Sequence, residues 1–378
     1  MLKFMATTVK GMEDVASREL RSIGGVHVKQ LSERVLFHGG LELVYEVNLN
    51  SRTIHKLTLI LGEGEAEGLD EIYRFARGLD YEGYIGLDQS FAIRTTRVGR
   101  HSYTSIEISS VVGKAVVDFF MELKGSRPRV DLRNPDVEVS VYVRNREVSI
   151  GINTTGESLH RRNYRVYDHP AALRTTLASC MLLWSGWRFE GLLDPMCGGA
   201  TIPIEAALMA RRFPPGFFRR SFAFKKLRIH DEELYREVLE DSLERSNRLH
   251  YEILGFDVSP KHLHGAQLNT ASAGVDDTIK LLMKDSTKPD SYRGLDVKYA
   301  VVNPPYGIRE YRLKALKKLY QGFLRALSEA LAGVKLVLIT GSPAIFEEAA
   351  SNVECSIRSV RSVRHGDLLA KVYMVDVG

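Results

Sequence analysis

The second half of the chain alternates short apolar segments with longer stretches of helical periodicity, and this alternation constrains the fold more than any other feature. The apolar segments are brief and contain many β-branched residues, which is typical of buried strands. Strands that alternate with helices predict a parallel sheet with helices on both faces. We therefore predict an α/β fold here, with strands at Leu192–Asp194, Ile253–Asp257, Ile279–Met283, Tyr299–Asn303 and Val334–Thr340.

The first half has a different pattern, in which strands and helices predict small α+β units. Val137–Val143 and Val148–Ile152 alternate apolar and polar residues and predict a hairpin. Ser90–Thr95 predicts a further strand, and Thr104–Leu123 predicts a long helix. The polar, basic segment Thr155–Arg165 is interpreted as the junction between the two halves.

The composition is that of an ordinary globular protein with room for two or three domains. The 378 residues carry a net charge of +5, which permits nucleic-acid binding without requiring it. No apolar stretch is long enough to span a bilayer, and the N-terminus lacks the apolar core of a signal peptide. Cys180, Cys197 and Cys355 form no Cys-x-x-Cys pair, so neither a disulfide framework nor a zinc site is predicted. We expect a cytoplasmic protein that requires no metal.

A diproline motif follows the strand predicted at Tyr299–Asn303. The prolines of Asn303-Pro304-Pro305-Tyr306 lack backbone N–H groups and disfavour a helix, so the chain leaves the strand stiff and extended. The Asn303 amide oxygen and the Pro304 carbonyl can each accept a hydrogen bond from one amino group. The Tyr306 ring can stack on a base. This arrangement suits the exocyclic amine of a nucleobase, and the alternative is a turn that only ends a strand.

Three earlier strand ends also carry groups that suit a ligand. Asp194 precedes a turn containing Gly198 and Gly199, and the helix that follows offers free N–H groups for a carboxylate. Asp257, at the end of the second strand, suits two ribose hydroxyls, and Asp285, after the third, suits an adenine amine. Each aspartate alone also suits a helix cap or a turn. Because the carboxyl ends of parallel strands line one crevice, their order predicts a single site.

A cationic stretch lies between the first two of these strands. From Arg211 to Arg228 the chain has seven basic residues, no acidic residue and five phenylalanines. Cations that meet phosphates and rings that meet bases are typical of RNA-contacting segments. The alternative is a set of core rings with a solvated basic rim. We expect most of the rings to be core and the cations to be functional.

The strand-end groups give the second half a resemblance to a known family. It resembles class I S-adenosylmethionine-dependent methyltransferases of the amino-methylating kind. Asp194–Thr201 is similar to their first motif, Asp257 to their ribose-binding acid, Asp285 to their adenine-side acid and Asn303–Tyr306 to their catalytic motif. Ala200 stands where many relatives have glycine, but this departure removes no polar group.

The first half resembles a THUMP domain preceded by a small ferredoxin-like domain. The segments that carry this resemblance include Ser90–Arg94, the helix from Thr104, and Thr155–Arg165, where Asn163 replaces the glycine of many relatives. Together the two resemblances cover essentially the whole chain and point to THUMP tRNA guanosine N2-methyltransferases. They imply a ferredoxin-like domain at 1–55, a THUMP RNA-binding domain at 56–160 and a Rossmann-like methyltransferase domain at 161–378.

The resemblance also implies site residues and partners. S-adenosyl-L-methionine is the implied methyl donor, and tRNA is the implied partner through its acceptor stem and 3′ end, with neither a membrane nor DNA. The implied catalytic residues are Asn303, Pro304 and Tyr306. Those implied for donor binding are His169, Pro170, Ala171, Leu173, Asp194, Cys197, Gly198, Gly199, Thr201, Asp257, Val258, Asp285, Ser286 and Asn303. The candidates for RNA contact are Arg94, Arg97, Arg100, Arg161, Arg162, Arg165, Arg219, Arg220 and Lys225.

The implied reaction is methylation of the exocyclic N2 of a guanosine in the tRNA acceptor stem, at position six. The same chemistry fits a guanosine at tRNA position ten or in ribosomal RNA, and no motif separates these targets. DNA adenine and cytosine methyltransferases share an Asn/Asp-Pro-Pro-aromatic motif, but the THUMP resemblance argues against DNA. A non-catalytic RNA chaperone is the remaining alternative. Retention of Asp257, Asp285 and the whole of Asn303–Tyr306 argues against it.

Overall fold

The computed structural model describes residues 1–306, 310–366 and 368–378, and these residues form two sheets with helices packed against them. Within those ranges the first sheet contains eight strands. They are β1 (Leu2–Thr8), β2 (Val26–Leu31), β3 (Arg34–Gly39), β4 (Ile54–Glu65), β5 (Ser90–Val98), β6 (Arg129–Val130), β7 (Val137–Arg144) and β8 (Glu147–Asn153). Their order across the sheet is β2-β3-β1-β4-β8-β7-β5-β6.

Four helices belong to this first half. They are α1 (Glu13–Ser22), α2 (Glu42–Asn50), α3 (Leu69–Arg77) and α4 (Ser105–Lys124). The long helix α4 begins where the sequence predicts, because Thr104 and Glu107 form a reciprocal capping box. It ends at Gly125, whose φ of 64° is the left-handed conformation that glycine adopts without strain.

Strand β4 joins the two parts of the first half. It pairs with β1 on one side, where Leu59 faces Phe4, and with β8 on the other, where Leu59 faces Ile152. The domain boundary predicted at residues 55 and 56 therefore falls inside a strand that is hydrogen-bonded to both parts. One hydrophobic core runs beneath both.

The described part of the second half forms a seven-stranded sheet. Its elements are α5 (Thr175–Ser185), β9 (Leu192–Asp194), α6 (Thr201–Ala210), α7 (Glu232–Glu244), β10 (Ile253–Asp257), α8 (Pro260–Ser272), β11 (Ile279–Met283), β12 (Tyr299–Val302), α9 (Glu310–Ala330), β13 (Lys335–Thr340), α10 (Pro343–Ala350), β14 (Cys355–His365) and β15 (Leu368–Val377). The strand order is β11-β10-β9-β12-β13-β15-β14.

The predicted α/β class is confirmed, and each of the five predicted strands is present. β9 to β13 are parallel to one another, whereas β15 pairs antiparallel with β13 and β14. The final hairpin, β14 and β15, was not predicted from the sequence. In the part of the chain described here, no helix is long and apolar enough to cross a membrane.

The cationic stretch after α6 packs onto the first half. Phe222 and Phe224 are buried in the same core as β1 to β8, together with Tyr235 of α7. Phe217 remains half exposed, with 50% of its surface accessible. Phe213 and Phe218 are partly buried against the core of the second half. The expectation that most of these rings are core is therefore confirmed, with Phe217 as the exposed exception.

Candidate active site

Four strand ends meet at one crevice, as their order along the chain predicts. β11, β10, β9 and β12 are adjacent and parallel, and Leu192 of β9 faces both Ile253 of β10 and Tyr299 of β12. Their carboxyl ends border a cavity of about 290 Å³, whose walls include Asp257, Asp285 and Asn303. A second, smaller cavity of about 30 Å³ lies between the turn at residues 195–200, which we call the glycine turn, and the segment around His169.

The glycine turn is held by backbone hydrogen bonds to the neighbouring strand. The Cys197 N–H donates to the Phe256 carbonyl at 2.7 Å, and the Gly198 N–H donates to Asp257 Oδ2 at 3.0 Å. Ala200, the residue before α6, has a φ of 62°. A residue with a Cβ in this left-handed region costs about 1 kcal/mol relative to glycine. The replacement of glycine at this position therefore strains the turn but leaves its shape intact.

The three acids at the strand ends have different surroundings. Asp194 is only 2% exposed and accepts a hydrogen bond from the Met196 N–H at 3.2 Å. Burial raises the pKa of its carboxyl well above the usual range. This carboxyl lines the smaller cavity. The hydrogen bond from the Met196 N–H to Asp194 stabilises the turn that follows β9.

Asp257 and Asp285 border the larger cavity. Asp257 Oδ1 accepts from the Ser259 N–H at 2.8 Å, and Oδ2 accepts from the Gly198 N–H. These two backbone N–H groups fix the carboxylate. Burial alone would raise the pKa of Asp285, but hydrogen bonds from the Thr287 hydroxyl and N–H outweigh it and lower the pKa. Both carboxylates are thus oriented by their own loops and still line the cavity.

Asn303 is the polar group nearest to the end of β12. Its Nδ2 donates to the Ala171 carbonyl at 3.1 Å, and its Oδ1 accepts from the Tyr306 hydroxyl at 2.7 Å. The Tyr306 carbonyl accepts from Ser342 Oγ at 2.8 Å. Burial raises the pKa of the Tyr306 phenol above the usual range. Tyr306 is half-buried and Pro304 is buried. The motif is therefore an ordered edge, and the tyrosine hydroxyl fixes the amide in one orientation.

The segment from His169 to Leu173 closes the smaller cavity. A Cβ placed on Gly198 would lie 3.3 Å from the His169 ring, which is a tight contact, and the φ of Gly198 is 52°, so glycine is the residue that fits here without strain. Burial and the neighbouring His262 lower the pKa of the His169 imidazole. Leu173 is buried and lines the cavity, whereas Pro170 is exposed and, among the described residues, lies outside both cavity linings.

The remaining residues implied for donor binding divide between the two cavities. Cys197, Gly199 and Thr201 line the smaller one, and Val258 and Ser286 line the larger one. Ser286 is buried, with its carbonyl accepting from the Tyr292 hydroxyl at 2.6 Å. Val258 is 64% exposed. The structure thus brings all of the implied donor-binding residues except Pro170 to one crevice.

Asn269 is a residue of this site that the sequence analysis missed. It is completely buried on α8, and its Oδ1 accepts from the N–H groups of Val166 and Tyr167 at 2.9 and 2.8 Å. Its Nδ2 donates to the carbonyls of Tyr167 and Gly199 at 3.0 and 2.9 Å. One side chain therefore ties the segment before His169 to the glycine turn. An asparagine in the last turn of a helix gives no local signal of this role.

The cations predicted for RNA contact include one that the structure contradicts. Arg162 is 3% exposed, and its guanidinium donates to Glu205 Oε2 at 3.4 Å and to the carbonyls of Arg52 and Leu159 at 2.9 and 3.0 Å. Glu205 is fully buried and also accepts from Tyr164 and Ser179. Because a guanidinium enclosed in this way cannot reach RNA, the prediction for Arg162 is wrong.

The other predicted cations are accessible to different degrees. Arg165 donates to the Leu173 carbonyl and to Thr201 Oγ1, and Arg219 donates to three carbonyls of the junction segment between residues 157 and 161. Both are half-buried and support the backbone. The exposed members are Arg94, Arg97, Arg100, Arg161, Arg220 and Lys225.

Three known domain families match the chain. The RMKL-like methyltransferase domain matches residues 162–371, the THUMP domain matches residues 66–153, and the RlmL ferredoxin-like domain matches residues 3–57. The crystal structure of SMU.472 with SAH has a TM-score of 0.87 and 25% identity to this protein, and the match covers 100% of this chain and 98% of that chain.

Two curated relatives resemble the chain over nearly its full length. The tRNA (guanine(6)-N2)-methyltransferase of Methanocaldococcus jannaschii is 38% identical, covering 98% of this chain and 99% of the relative. The tRNA (guanine(6)-N2)-methyltransferase of Archaeoglobus fulgidus is 39% identical, covering 98% of this chain and 91% of the relative. Since these similarities run through all three matched domains, the chain belongs to the THUMP-containing methyltransferase family that includes the tRNA (guanine(6)-N2)-methyltransferases.

Proposed function

We propose that this protein transfers a methyl group from S-adenosyl-L-methionine to the exocyclic N2 of the guanosine at position six, in the acceptor stem of tRNA. One observation carries the proposal. The Asn303 amide stands at the rim of the same cavity that Asp257 and Asp285 line from the neighbouring strands. The two full-length relatives, both named for this reaction, support the choice of tRNA and of position six.

The crevice fits S-adenosyl-L-methionine. Two backbone N–H groups hold the Asp257 carboxylate, and its remaining lone pairs suit the two ribose hydroxyls. The exposed Val258 offers an apolar surface to the adenine, and Asp285 accepts from the adenine amine. The glycine turn allows close backbone approach and leads to the N-terminal end of α6, which suits the donor's carboxylate. When bound, the donor supplies an electrophilic methyl carbon.

The diproline edge orients the acceptor. The N2 nitrogen of guanine is a weak nucleophile because its lone pair is shared with the ring. Asn303 Oδ1 and the Pro304 carbonyl each accept a hydrogen bond from this amino group, which favours a pyramidal nitrogen whose lone pair is directed at the crevice. An amide oxygen has two lone pairs, so Oδ1 can keep its bond from the Tyr306 hydroxyl while it accepts the second one. Alignment then supplies much of the acceleration.

Access to a guanine N2 in a stem requires the base to leave the helix. This unstacking costs a few kcal/mol, which contacts elsewhere on the RNA have to offset. The first half, which contains the THUMP match, is proposed to supply those contacts through exposed cations such as Arg94, Arg97 and Arg100. The Tyr306 ring beside Asn303 is proposed to stack on the extruded base.

The Asn303→Ala variant tests this proposal with purified tRNA and labelled donor. Loss of one positioned hydrogen-bonding group is expected to lower kcat by roughly 10²- to 10³-fold. Donor affinity, measured by calorimetry, should change much less, because Asp257 and Asp285 remain. The matched control is Asn352→Ala, which removes an exposed amide at the end of α10 and should leave kcat unchanged. Near-normal transfer by Asn303→Ala would refute the catalytic assignment.

The target nucleotide is tested separately by nucleoside mass spectrometry of tRNA fragments. We expect one N2-methylguanosine at position six in the wild-type reaction. A transcript with adenosine at that position should accept no methyl group. Methylation at position ten, or of ribosomal RNA in preference to tRNA, would agree with the proposed N2 methylation but would refute the proposed target nucleotide.

A further inference from the structure

A large cavity lies between the two halves, away from the crevice. It has a volume of about 510 Å³ and is bordered by α1, the end of α2, and the residues that follow α6 and α7. Four arginines contribute to its walls, namely Arg18, Arg52, Arg212 and Arg245. Because α6 begins at the glycine turn and has ten residues, this cavity is about 15 Å from the donor site. We call it the α1/α6 cavity.

The acids of the α1/α6 cavity are already engaged. Glu19 accepts hydrogen bonds from Ser51 Oγ and from the N–H groups of Arg52 and Thr53 at 2.7 to 3.1 Å. Glu46 accepts from Arg245 at 3.1 Å. These two are the only carboxylates among the described residues that line the cavity, against four arginines. The residues that line the cavity therefore carry a net positive charge, although Arg18 is itself paired with Asp14 at 3.3 Å.

Arg52 brings a buried and incompletely satisfied guanidinium to this wall. It is 8% exposed, and its Nη2 donates to the carbonyls of Leu208 and Phe213 at 3.0 and 2.7 Å. Its Nη1 has no partner among the described residues. Burial lowers the pKa of Arg52 to about 10, so the guanidinium stays charged at neutral pH. Nη1 itself has almost no accessible surface, so an anion in the cavity would stabilise Arg52 through its charge rather than through a bond to Nη1.

Arg212 is a second arginine in an unfavourable position. It follows α6 with a φ of 53°, and the Phe213 N–H donates to the Leu208 carbonyl at 2.9 Å across the end of the helix. Helices that end in this way usually have glycine at the left-handed position. Arg212 is exposed, and its guanidinium bonds to no other residue in the described ranges. Arg212 thus places a positive charge at the cavity although its backbone conformation favours glycine.

We propose that the α1/α6 cavity binds a phosphate group. Guanidinium groups match phosphate oxygens with paired hydrogen bonds, which the exposed Arg212 can form, and the buried Arg52 adds positive charge at the same wall. The volume is within the range of ordinary ligand sites. The phosphate belongs either to the tRNA backbone, in which case the inference rests on the proposed function, or to a small phosphorylated compound, in which case it does not.

The Arg212→Gly variant separates binding from folding. Glycine relieves the left-handed backbone, so Tm should stay the same or rise, whereas the loss of the guanidinium should weaken phosphate binding. Two probes distinguish the source: fluorescently labelled tRNA, titrated at several salt concentrations, and inorganic pyrophosphate, titrated by calorimetry. The charge-matched control is Arg325→Gln, which removes an exposed arginine of α9.

Each outcome decides the proposal. If tRNA is the source, Arg212→Gly should lower tRNA affinity about three- to tenfold and reduce the slope of log affinity against log salt by about one. If the source is a small compound, tRNA binding should be unchanged and pyrophosphate affinity should fall at least fivefold. If both probes bind to Arg212→Gly and to a second variant, Arg18→Gln, as tightly as to the wild type, the proposal is wrong. Donor binding and the Asn303→Ala result are independent of this outcome.

Discussion

The crevice and the junction between the halves both contain charged side chains, but they position them in different ways. In the crevice, Asp257 ends one parallel strand and Asp285 follows the next, and each is fixed by an N–H group two residues further along the chain. At the junction, Arg162 and Arg161 are neighbours in sequence, yet Arg162 is buried against Glu205 and Arg161 is exposed. Local backbone geometry thus positions the acids, whereas long-range packing decides the role of each arginine.

The largest expected effect comes from breaking the buried pair at the junction. Arg162→Met leaves the fully buried Glu205 without its cation, and such a loss typically costs about 3–5 kcal/mol. We expect a matching fall in the free energy of unfolding, measured by urea denaturation.

The matched control is the adjacent Arg161→Met. Arg161 forms an exposed i,i+4 pair with Glu157, with about two thirds of both side chains accessible. Such pairs contribute less than about 1 kcal/mol. Similar losses for both variants would show that burial does not separate these two arginines.

A smaller effect is expected for Asp257, the acid proposed to bind the ribose. In Asp257→Asn one carboxylate oxygen becomes an NH₂ group, which is only a donor, so the side chain can accept from just one of the Gly198 and Ser259 N–H groups. Hydrogen bonds to charged groups are worth about 1.5–3 kcal/mol, so S-adenosyl-L-methionine affinity should fall roughly 10- to 100-fold by calorimetry. Asp290→Asn, in an exposed pair with Arg293, should have no effect. Unchanged affinity in Asp257→Asn would remove this residue from the proposed site.

The exposed cations should contribute to RNA affinity one charge at a time. Arg220→Gln is expected to reduce the slope of log tRNA affinity against log salt by about one, with a change in affinity of only a few-fold. Donor affinity should not change. Arg188→Gln, another exposed arginine, is the charge-matched comparison. Equal slopes for Arg220→Gln and the wild type would exclude Arg220 from the RNA surface.

The smallest expected effect is a pH dependence at His169. Burial and the nearby His262 hold its pKa below the usual 6.5, so the ring is neutral at pH 7.5 and becomes charged only as the pH falls through that lowered pKa. A cation there would repel the sulfonium charge of the donor. Affinity for S-adenosyl-L-methionine should therefore fall roughly threefold as the pH is lowered from 7.5 through the pKa of His169.

Two comparisons isolate this effect. The demethylated product SAH lacks the sulfonium charge, so its affinity should depend less on pH. The His169→Gln variant removes the titrating ring and should flatten the profile for S-adenosyl-L-methionine. An unchanged profile in His169→Gln would assign the pH dependence to another group, such as His262.

The sequence alone was sufficient for the α/β class, for the five strands of the second half and for the meeting of Asp257, Asp285 and Asn303 at one edge. A strand's apolar pattern marks where it ends, and parallel strands end at a common edge, so short-range information determines this part of the site. The hydrogen bond between the Tyr306 hydroxyl and Asn303 also lies within one short segment. Only the tertiary structure showed that the Tyr306 hydroxyl donates to the Asn303 amide oxygen, which is the proposed acceptor for the guanine amino group.

Other features depended on contacts between residues far apart in the chain. Glu205 pairs with Arg162 across 43 positions, and Asn269 bonds to Tyr167 across 102. Long-range contacts also decide where Phe222 and Phe224 pack, which is beneath the first sheet. They decide the pairing of the antiparallel strand β15 as well. The local sequence pattern predicts neither. A charge or an amide in the sequence fixes which hydrogen bonds are possible. The fold decides which of them form, because burial removes water as the competing partner.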